Sequence, residues 1–214
     1  MPQSEHGRLA GILASLWGNS QFDRPSLDRH SFITGVSFHD RGYGWFDNSP
    51  IGQVPLEEWF LNQERGIKEE SGDPIVEMLV ILHLKRLLSY NPGEKANQLI
   101  AKIDQKIENS LAKSSHSLEE FLWADRITQI CDKMAFDFSF EADGDYEMAC
   151  YRRQNQFDEL PFKYQIKDGR IQTDPWVFAV DDYSGFIYGF ESDPYPEQKQ
   201  AVVMPFHLTR QGLV

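Results

Sequence analysis

The spacing of the apolar residues changes near residues 141–145, and this change limits the possible folds more than any other feature of the sequence. Before it, apolar residues recur at every third or fourth position, which predicts amphipathic helices. After it, residues 162–166 alternate between apolar and polar up to Asp168-Gly169, a dipeptide typical of a tight turn between antiparallel strands. We therefore predict a mainly α fold, a helical bundle with a small β-rich C-terminal region.

Helical spacing and cap signals predict six helices before that change. Asp73 and Pro74 provide the clearest start, because they combine an N-cap with a proline in the first turn. The helices are expected to begin near Ser4, Ser26, Pro55, Asp73, Glu94 and Ser117. The length of 214 residues allows residues 1–140 to form a helical domain and residues 141–214 to form a β-rich region packed on it.

The charge of the chain limits its partners. Acidic residues outnumber basic ones by 33 to 21, which gives a formal net charge of −12. This charge repels the phosphate backbone of nucleic acids and anionic membrane surfaces, so we expect neither as a partner. A small-molecule substrate is compatible with it, even a phosphorylated one, because a bound cation can reverse the potential inside a cleft. The oligomeric state stays open.

The N-terminal segment and the cysteines indicate the compartment. Residues 1–18 carry acidic and polar side chains where a secretory signal needs a basic start and a long apolar run. The longest apolar stretch, residues 75–84, is shorter than the roughly 20 residues that cross a bilayer. Cys131 and Cys150 do not form a disulfide framework or a zinc-binding pattern. We therefore expect a cytoplasmic protein.

Ionisable side chains on apolar helix faces carry most of the functional information. His6, His39, His83 and Asp125 each lie on or beside the apolar face of a different predicted helix. A buried carboxylate without partners is unfavourable, whereas imidazoles and carboxylates around one divalent cation satisfy one another. The combination predicts a metal site, although a single buried histidine is more often a hydrogen-bonded core residue.

The adjacent pair His39 and Asp40 adds a local condition. Neighbouring side chains in a helix diverge by about 100°, so both can reach one ion only where the backbone departs from a regular helix. The segment that follows, residues 41–44, contains two glycines. Glycine tolerates irregular backbone conformations, which favours such a departure at this point.

The order of these residues resembles a known superfamily. A lone histidine, a His-Asp pair after a helix and a distant aspartate on a later helix are similar to the HD-domain superfamily of metal-dependent phosphohydrolases. The chain also resembles an uncharacterised bacterial family of unknown function with an H…WGN, HDxG and AD pattern. The residues that carry the resemblance are His6 with Trp17-Gly18-Asn19, then His39-Asp40-Arg41-Gly42, then Ala124-Asp125.

The resemblance implies an HD-like helical metal-binding domain in residues 1–140. The divalent ion would be iron, manganese, zinc or magnesium, since nitrogen and oxygen ligands suit all four. The ligands implied are His6, His39, Asp40 and Asp125. Larger HD subgroups hold a second ion with two further histidines. Here His83 is a candidate for that role, whereas His116 lies too close to Asp125 in the sequence.

The implied activity is that of a metal-dependent phosphohydrolase or phosphodiesterase acting on a small phosphorylated molecule. His83 and Asp132 are candidates to orient water or transfer a proton, and Lys85, Arg86 and Trp45 are candidates for substrate binding. For the two basic residues a solvated helix face is the alternative. Two other functions stay open: a di-iron oxygenase of the HD type, and a non-catalytic module that binds a metal or another ligand.

Overall fold

The computed structural model describes residues 1–44, 53–140, 143–154, 159–191, 193 and 195–210. Within these residues the chain forms six α-helices, as predicted, and one short 3-10 helix at Arg41–Tyr43. The α-helices are α1 (Gln3–Leu16), α2 (Arg29–Ser37), α3 (Leu56–Lys68), α4 (Pro74–Ser89), α5 (Glu94–Leu111) and α6 (Leu118–Phe140). No helix in this part of the chain combines the length and the apolar character needed to span a membrane.

The start of α4 shows how local sequence determines an element. The side chain of Asp73 accepts hydrogen bonds from the backbone N–H groups of Ile75, at 2.8 Å, and Val76, at 3.3 Å. Pro74 occupies the first turn, where its missing N–H removes no helical hydrogen bond. The predicted start of this helix is therefore confirmed. Residues 75–84 are almost all buried, so α4 runs through the core.

The last part of the chain forms a five-stranded mixed sheet within the described residues. Its strands are β1 (Gly144–Cys150), β2 (Leu160–Lys167), β3 (Arg170–Asp174), β4 (Asp182–Phe190) and β5 (Ala201–Thr209), in the order β1-β2-β3-β5-β4. Neighbouring strands are antiparallel, except for the parallel pair β3 and β5. Asp168 and Gly169 have φ angles of 49° and 74° and connect β2 to β3, which confirms the predicted hairpin turn.

The expected mainly α, HD-like helical bundle is wrong, because the protein has an α/β architecture. The predicted β-rich region is present, but it is a full sheet rather than a small appendage. Its inward-facing residues, including Phe162, Ile171 and Phe206, belong to the same hydrophobic core as the helices. The sheet contributes to the core that positions α1 and α6, and the division of the chain at residue 141 into two domains stays a prediction.

Candidate metal centre

Three histidines and two aspartates from different elements lie close together. His6 comes from α1, His39 and Asp40 from the turn after α2, His83 from α4 and Asp132 from α6. The first four are buried, and the Asp132 side chain is 18% exposed. These residues form two overlapping groups of potential metal ligands: His6, His39 and Asp40, and His39, His83 and Asp132.

His39 and Asp40 face the same site because they lie outside a helix. Helix α2 ends at Ser37, and the next three residues form a turn that leads into the 3-10 helix. Arg41 anchors this turn by donating to both carboxylate oxygens of Glu77 on α4, at 2.7 and 2.8 Å. The predicted departure from a regular helix is therefore present, and it lets adjacent side chains point to one place.

Close packing of α1 against α2 brings His6 to this turn. A Cβ atom added at Gly7 would lie 2.4 Å from the carbonyl oxygen of Ser37, closer than real atoms approach. Only a residue without a side chain allows this contact. Gly7 is next to His6 and Ser37 is two residues before His39, so the contact sets the spacing of the two imidazoles.

The sheet holds the same helix from another direction. The carboxylate of Glu5 accepts a hydrogen bond from the backbone N–H of Tyr188 on β4, at 2.8 Å. Arg8 donates to the carbonyl oxygen of Phe186 on the same strand, at 2.6 Å. Strand β4 lies at the edge of the sheet, and these side chains satisfy part of its free edge. Residues on both sides of His6 therefore tie α1 to the sheet.

Four side-chain atoms lie close together at the site. Two are the Nε2 atoms of His6 and His39, and two are carboxylate oxygens of Asp132 and Asp40. The two Nε2 atoms are 3.1 Å apart. Oδ1 of Asp132 lies 3.1 Å from Nε2 of His6 and 3.3 Å from Nε2 of His39. Oδ2 of Asp40 lies 3.6 and 3.3 Å from the same two atoms. Neighbouring ligands of one ion, with bonds of about 2.1 Å at right angles, are about 3.0 Å apart, so these five distances are compatible with ligands of a single divalent ion.

The surroundings orient these ligands. Nδ1 of His39 donates to the carbonyl oxygen of Val36 at 2.6 Å, which leaves the lone pair on Nε2 facing the other ligands. The amide of Gln3 donates to Oδ2 of Asp40 at 2.6 Å. The amide oxygen of Gln3 is buried and accepts no hydrogen bond from the part of the chain that the structure describes. A buried acceptor without a donor is unfavourable, so we expect a hydrogen-bond donor such as a water molecule beside this oxygen of Gln3.

The site attracts positive charge. Burial alone would lower the pKa of His39, but the negative charges of Asp40 and Asp132 outweigh burial and raise this pKa well above its usual value. Burial would raise the pKa values of both aspartates, but His39 outweighs it and holds them well below the usual range. Both carboxylates are therefore ionised, and a divalent cation can take the place of the proton that they hold on His39.

Asp125 does not belong to either ligand group. Both of its carboxylate oxygens accept from Nη1 of Arg86, at 2.6 Å. Asp132 follows it on the same face of α6 after seven residues, a distance of about 10.5 Å along the helix. Asp132, which was predicted as a catalytic residue, therefore lies among the potential ligands, where Asp125 was predicted to lie. The repeat of the two aspartates along one helix face was visible in the sequence.

His6, Asp40, His83 and Asp132 line a cleft of about 650 Å³. Its walls are largely apolar and include the aromatic side chains Tyr43, Trp59, Tyr90 and Phe136. Arg86 and Lys133 also line it, and each is paired with a carboxylate, of Asp125 and Asp137 respectively. Apolar walls around a few polar groups are typical of small-molecule sites.

The other residues predicted to bind substrate do not line the described cleft or are not described. Lys85 does not line the cleft, because its side chain is 42% exposed and pairs with Asp104 on α5 at 2.6 Å. Trp45 lies outside the residues that the structure describes. Gln3 was not identified from the sequence, although it precedes His6 by three residues and so shares its helix face.

These features define an α/β protein with a candidate metal centre beside a cleft. The chain belongs to a family described as a protein of unknown function (DUF3891), whose profile matches residues 1–186 and therefore includes all the candidate ligands. No curated protein and no solved structure matches the chain. Since the family description states no activity, the resemblance to the HD phosphohydrolases stays a prediction.

Proposed function

We propose that the protein is a metal-dependent hydrolase that cleaves a small phosphoester in this cleft. The ion would be held by His6, His39, Asp40 and Asp132. The observation that carries the proposal is the convergence of two imidazole nitrogens, 3.1 Å apart, with two carboxylate oxygens that each lie 3.1 to 3.6 Å from both nitrogens. The order of these ligands along the chain is similar to the HD pattern, with Asp132 in place of Asp125.

The donor set determines which ions the site would take. Two nitrogen and two oxygen donors suit iron, manganese, zinc or magnesium. A bound ion of this kind supplies Lewis acidity, which polarises a phosphoryl oxygen and makes a water molecule nucleophilic at neutral pH. The residues of the chain do the rest: Val36 and Gln3 orient two ligands, and aromatic side chains line the cleft beside them.

The cleft also limits the substrate. Its volume of about 650 Å³ is suited to a small molecule rather than a polymer. Its apolar walls favour an organic group with a ring or an aliphatic part. A phosphoester with such a substituent would place its charged group at the ion and its substituent against the walls.

The proposal is tested with protein loaded with Mn²⁺ and two chromogenic probes, p-nitrophenyl phosphate and bis(p-nitrophenyl) phosphate. We expect metal-dependent release of p-nitrophenol from at least one of them, and its loss in the His39→Ala variant. Lys85→Met is the matched control. Lys85 is a charged residue two positions after His83, and its side chain lies outside the cleft. A wild-type protein that binds no divalent ion would overturn the proposal. An ion-loaded protein without turnover would favour the non-catalytic module.

A di-iron oxygenase is the second candidate. It is favoured by the second ligand group, in which His83 and Asp132 share His39 with the first. This function requires two adjacent ions. The number of ions bound therefore discriminates between the two candidates.

A further inference from the structure

We propose that Arg86, held by Asp125, takes the position of a second cation, so that the site binds a single ion. This inference rests on the proposed metal site and specifies its nuclearity. It assigns a positioning role to Arg86, Asp125 and His83. Asp125 thereby has a function at the site without being a ligand.

Both ring nitrogens of His83 are already engaged. Nη2 of Arg86 lies 3.0 Å from Nδ1 of His83. A guanidinium group can only donate hydrogen bonds, so Nδ1 must accept and cannot carry a proton. The proton of neutral His83 is then on Nε2, which donates to Oδ1 of Asp40 at 3.1 Å. His83 in this tautomer has no lone pair available for an ion.

The second ligand group faces a fixed positive charge. Two potential donor atoms of its residues, Nδ1 of His83 and Oδ2 of Asp132, are 3.5 Å apart. Nη2 of Arg86 lies 3.0 Å from the first and 3.8 Å from the second. An arginine side chain is always charged in proteins, so a divalent ion at this place would meet strong repulsion in a poorly solvated site. The guanidinium group itself balances the charge of Asp132 on this side.

Asp125 keeps Arg86 in place. Its two carboxylate oxygens accept from Nη1, and both side chains are largely buried, at 14% and 16% exposure. The contacts form a continuous series from Asp125 through Arg86 and His83 to Asp40. At its end, His83 donates to Oδ1 of Asp40, which leaves Oδ2 turned toward the imidazoles of His6 and His39. The series of contacts thus orients one ligand of the single ion.

Metal stoichiometry tests the number of ions. Wild-type protein is titrated with Mn²⁺ and examined by electron paramagnetic resonance. We expect one equivalent, with the hyperfine pattern of an isolated ion. Two equivalents with the pattern of a spin-coupled pair would overturn this inference and leave the proposed metal site intact. A protein that takes up no Mn²⁺ would overturn both.

Nitrogen-15 NMR of the histidine rings in Zn²⁺-loaded protein tests the role of Arg86. We expect His83 to be protonated on Nε2 alone in the wild type, and this tautomer to be lost in Arg86→Met together with a roughly tenfold to hundredfold loss of metal affinity. Lys85→Met is the control for removal of a neighbouring charge and should leave both unchanged. A proton on Nδ1 in the wild type, or an unchanged spectrum in Arg86→Met, would overturn the inference.

A second pair of variants covers the case in which Arg86→Met does not fold. Asp125→Asn keeps the shape of the side chain but weakens its hold on Arg86, so we expect His83 to sample both tautomers. Asp104→Asn is its matched control, because Asp104 is the exposed carboxylate partner of Lys85. Equal ring spectra for the two variants would contradict the proposed series of contacts.

Discussion

Two regions of α6 contain the same residue type on the same helix face and have different roles. At one, Asp132 faces the imidazoles of His6 and His39. At the other, Asp125 faces the guanidinium of Arg86. Both carboxylates are largely buried, but their partners differ: Arg86 donates to both oxygens of Asp125 at 2.6 Å, whereas it lies 3.8 Å from Asp132, whose Oδ1 faces the two imidazoles. The proposed ion would be a further positive partner of Asp132, and Asp125 has its partner within the chain.

The largest expected effect separates these two carboxylates directly. Asp132→Asn removes a charged oxygen between two imidazoles, so we expect its affinity for Mn²⁺ to fall by more than about a hundredfold, beyond what loss of an orienting contact causes. Asp125→Asn should lose less Mn²⁺ affinity, because Asp125 acts on the site only through Arg86 and His83. Isothermal titration measures both. If Asp125→Asn loses the metal and Asp132→Asn retains it, the assignment of the two aspartates must be reversed.

Thermal stability provides the next test. An ion bound only by the folded protein at about a hundred times its Kd stabilises it by about 2.7 kcal/mol. For a chain of this length that corresponds to a rise in Tm of about 5–10 °C on adding Mn²⁺. We expect this rise in the wild type and its absence in Asp132→Asn. A rise of the same size in the variant would show that Asp132 does not contribute to the site.

A smaller effect is expected from Gly7→Ala, which acts on the spacing of the two imidazoles. The added methyl group would meet the backbone of Ser37 at 2.4 Å, so α1 must shift at a cost of about 1–3 kcal/mol. The shift should also weaken Mn²⁺ binding. Gly93→Ala is the control, because a Cβ atom there meets no atom within 4 Å. Chemical denaturation measures the free energy of unfolding, and titration measures the Mn²⁺ affinity. Equal values of both for Gly7→Ala and Gly93→Ala would contradict the prediction.

The smallest effect is expected from Lys85→Met. Its ion pair with Asp104 is exposed, and such pairs contribute at most about 0.5 to 1 kcal/mol. The free energy of unfolding should therefore change little, and Mn²⁺ affinity should be unchanged. A clear loss of metal affinity in this variant would mean that general charge, rather than the specific contacts of Arg86, controls the site.

Several elements could be predicted because their causes are local. The start of α4 follows from the Asp73 cap and Pro74, and the hairpin between β2 and β3 follows from Asp168-Gly169. His6 and His39 could be grouped because ionisable groups on apolar faces need partners, and the resemblance to the HD pattern added Asp40. The extent of the sheet could not be predicted, since five short strands signal their pairing only weakly and β3 pairs with β5 across more than 25 residues of chain.

The sequence by itself determined the six helices, the hairpin and the three residues that meet at the turn after α2. Only the tertiary structure decided which aspartate of α6 joins them. Residues seven apart share a helix face, so periodicity cannot distinguish Asp125 from Asp132. That choice depends on where α6 crosses α1 and α4, which places the imidazoles of His6 and His39 beside Asp132 and leaves Asp125 paired with Arg86.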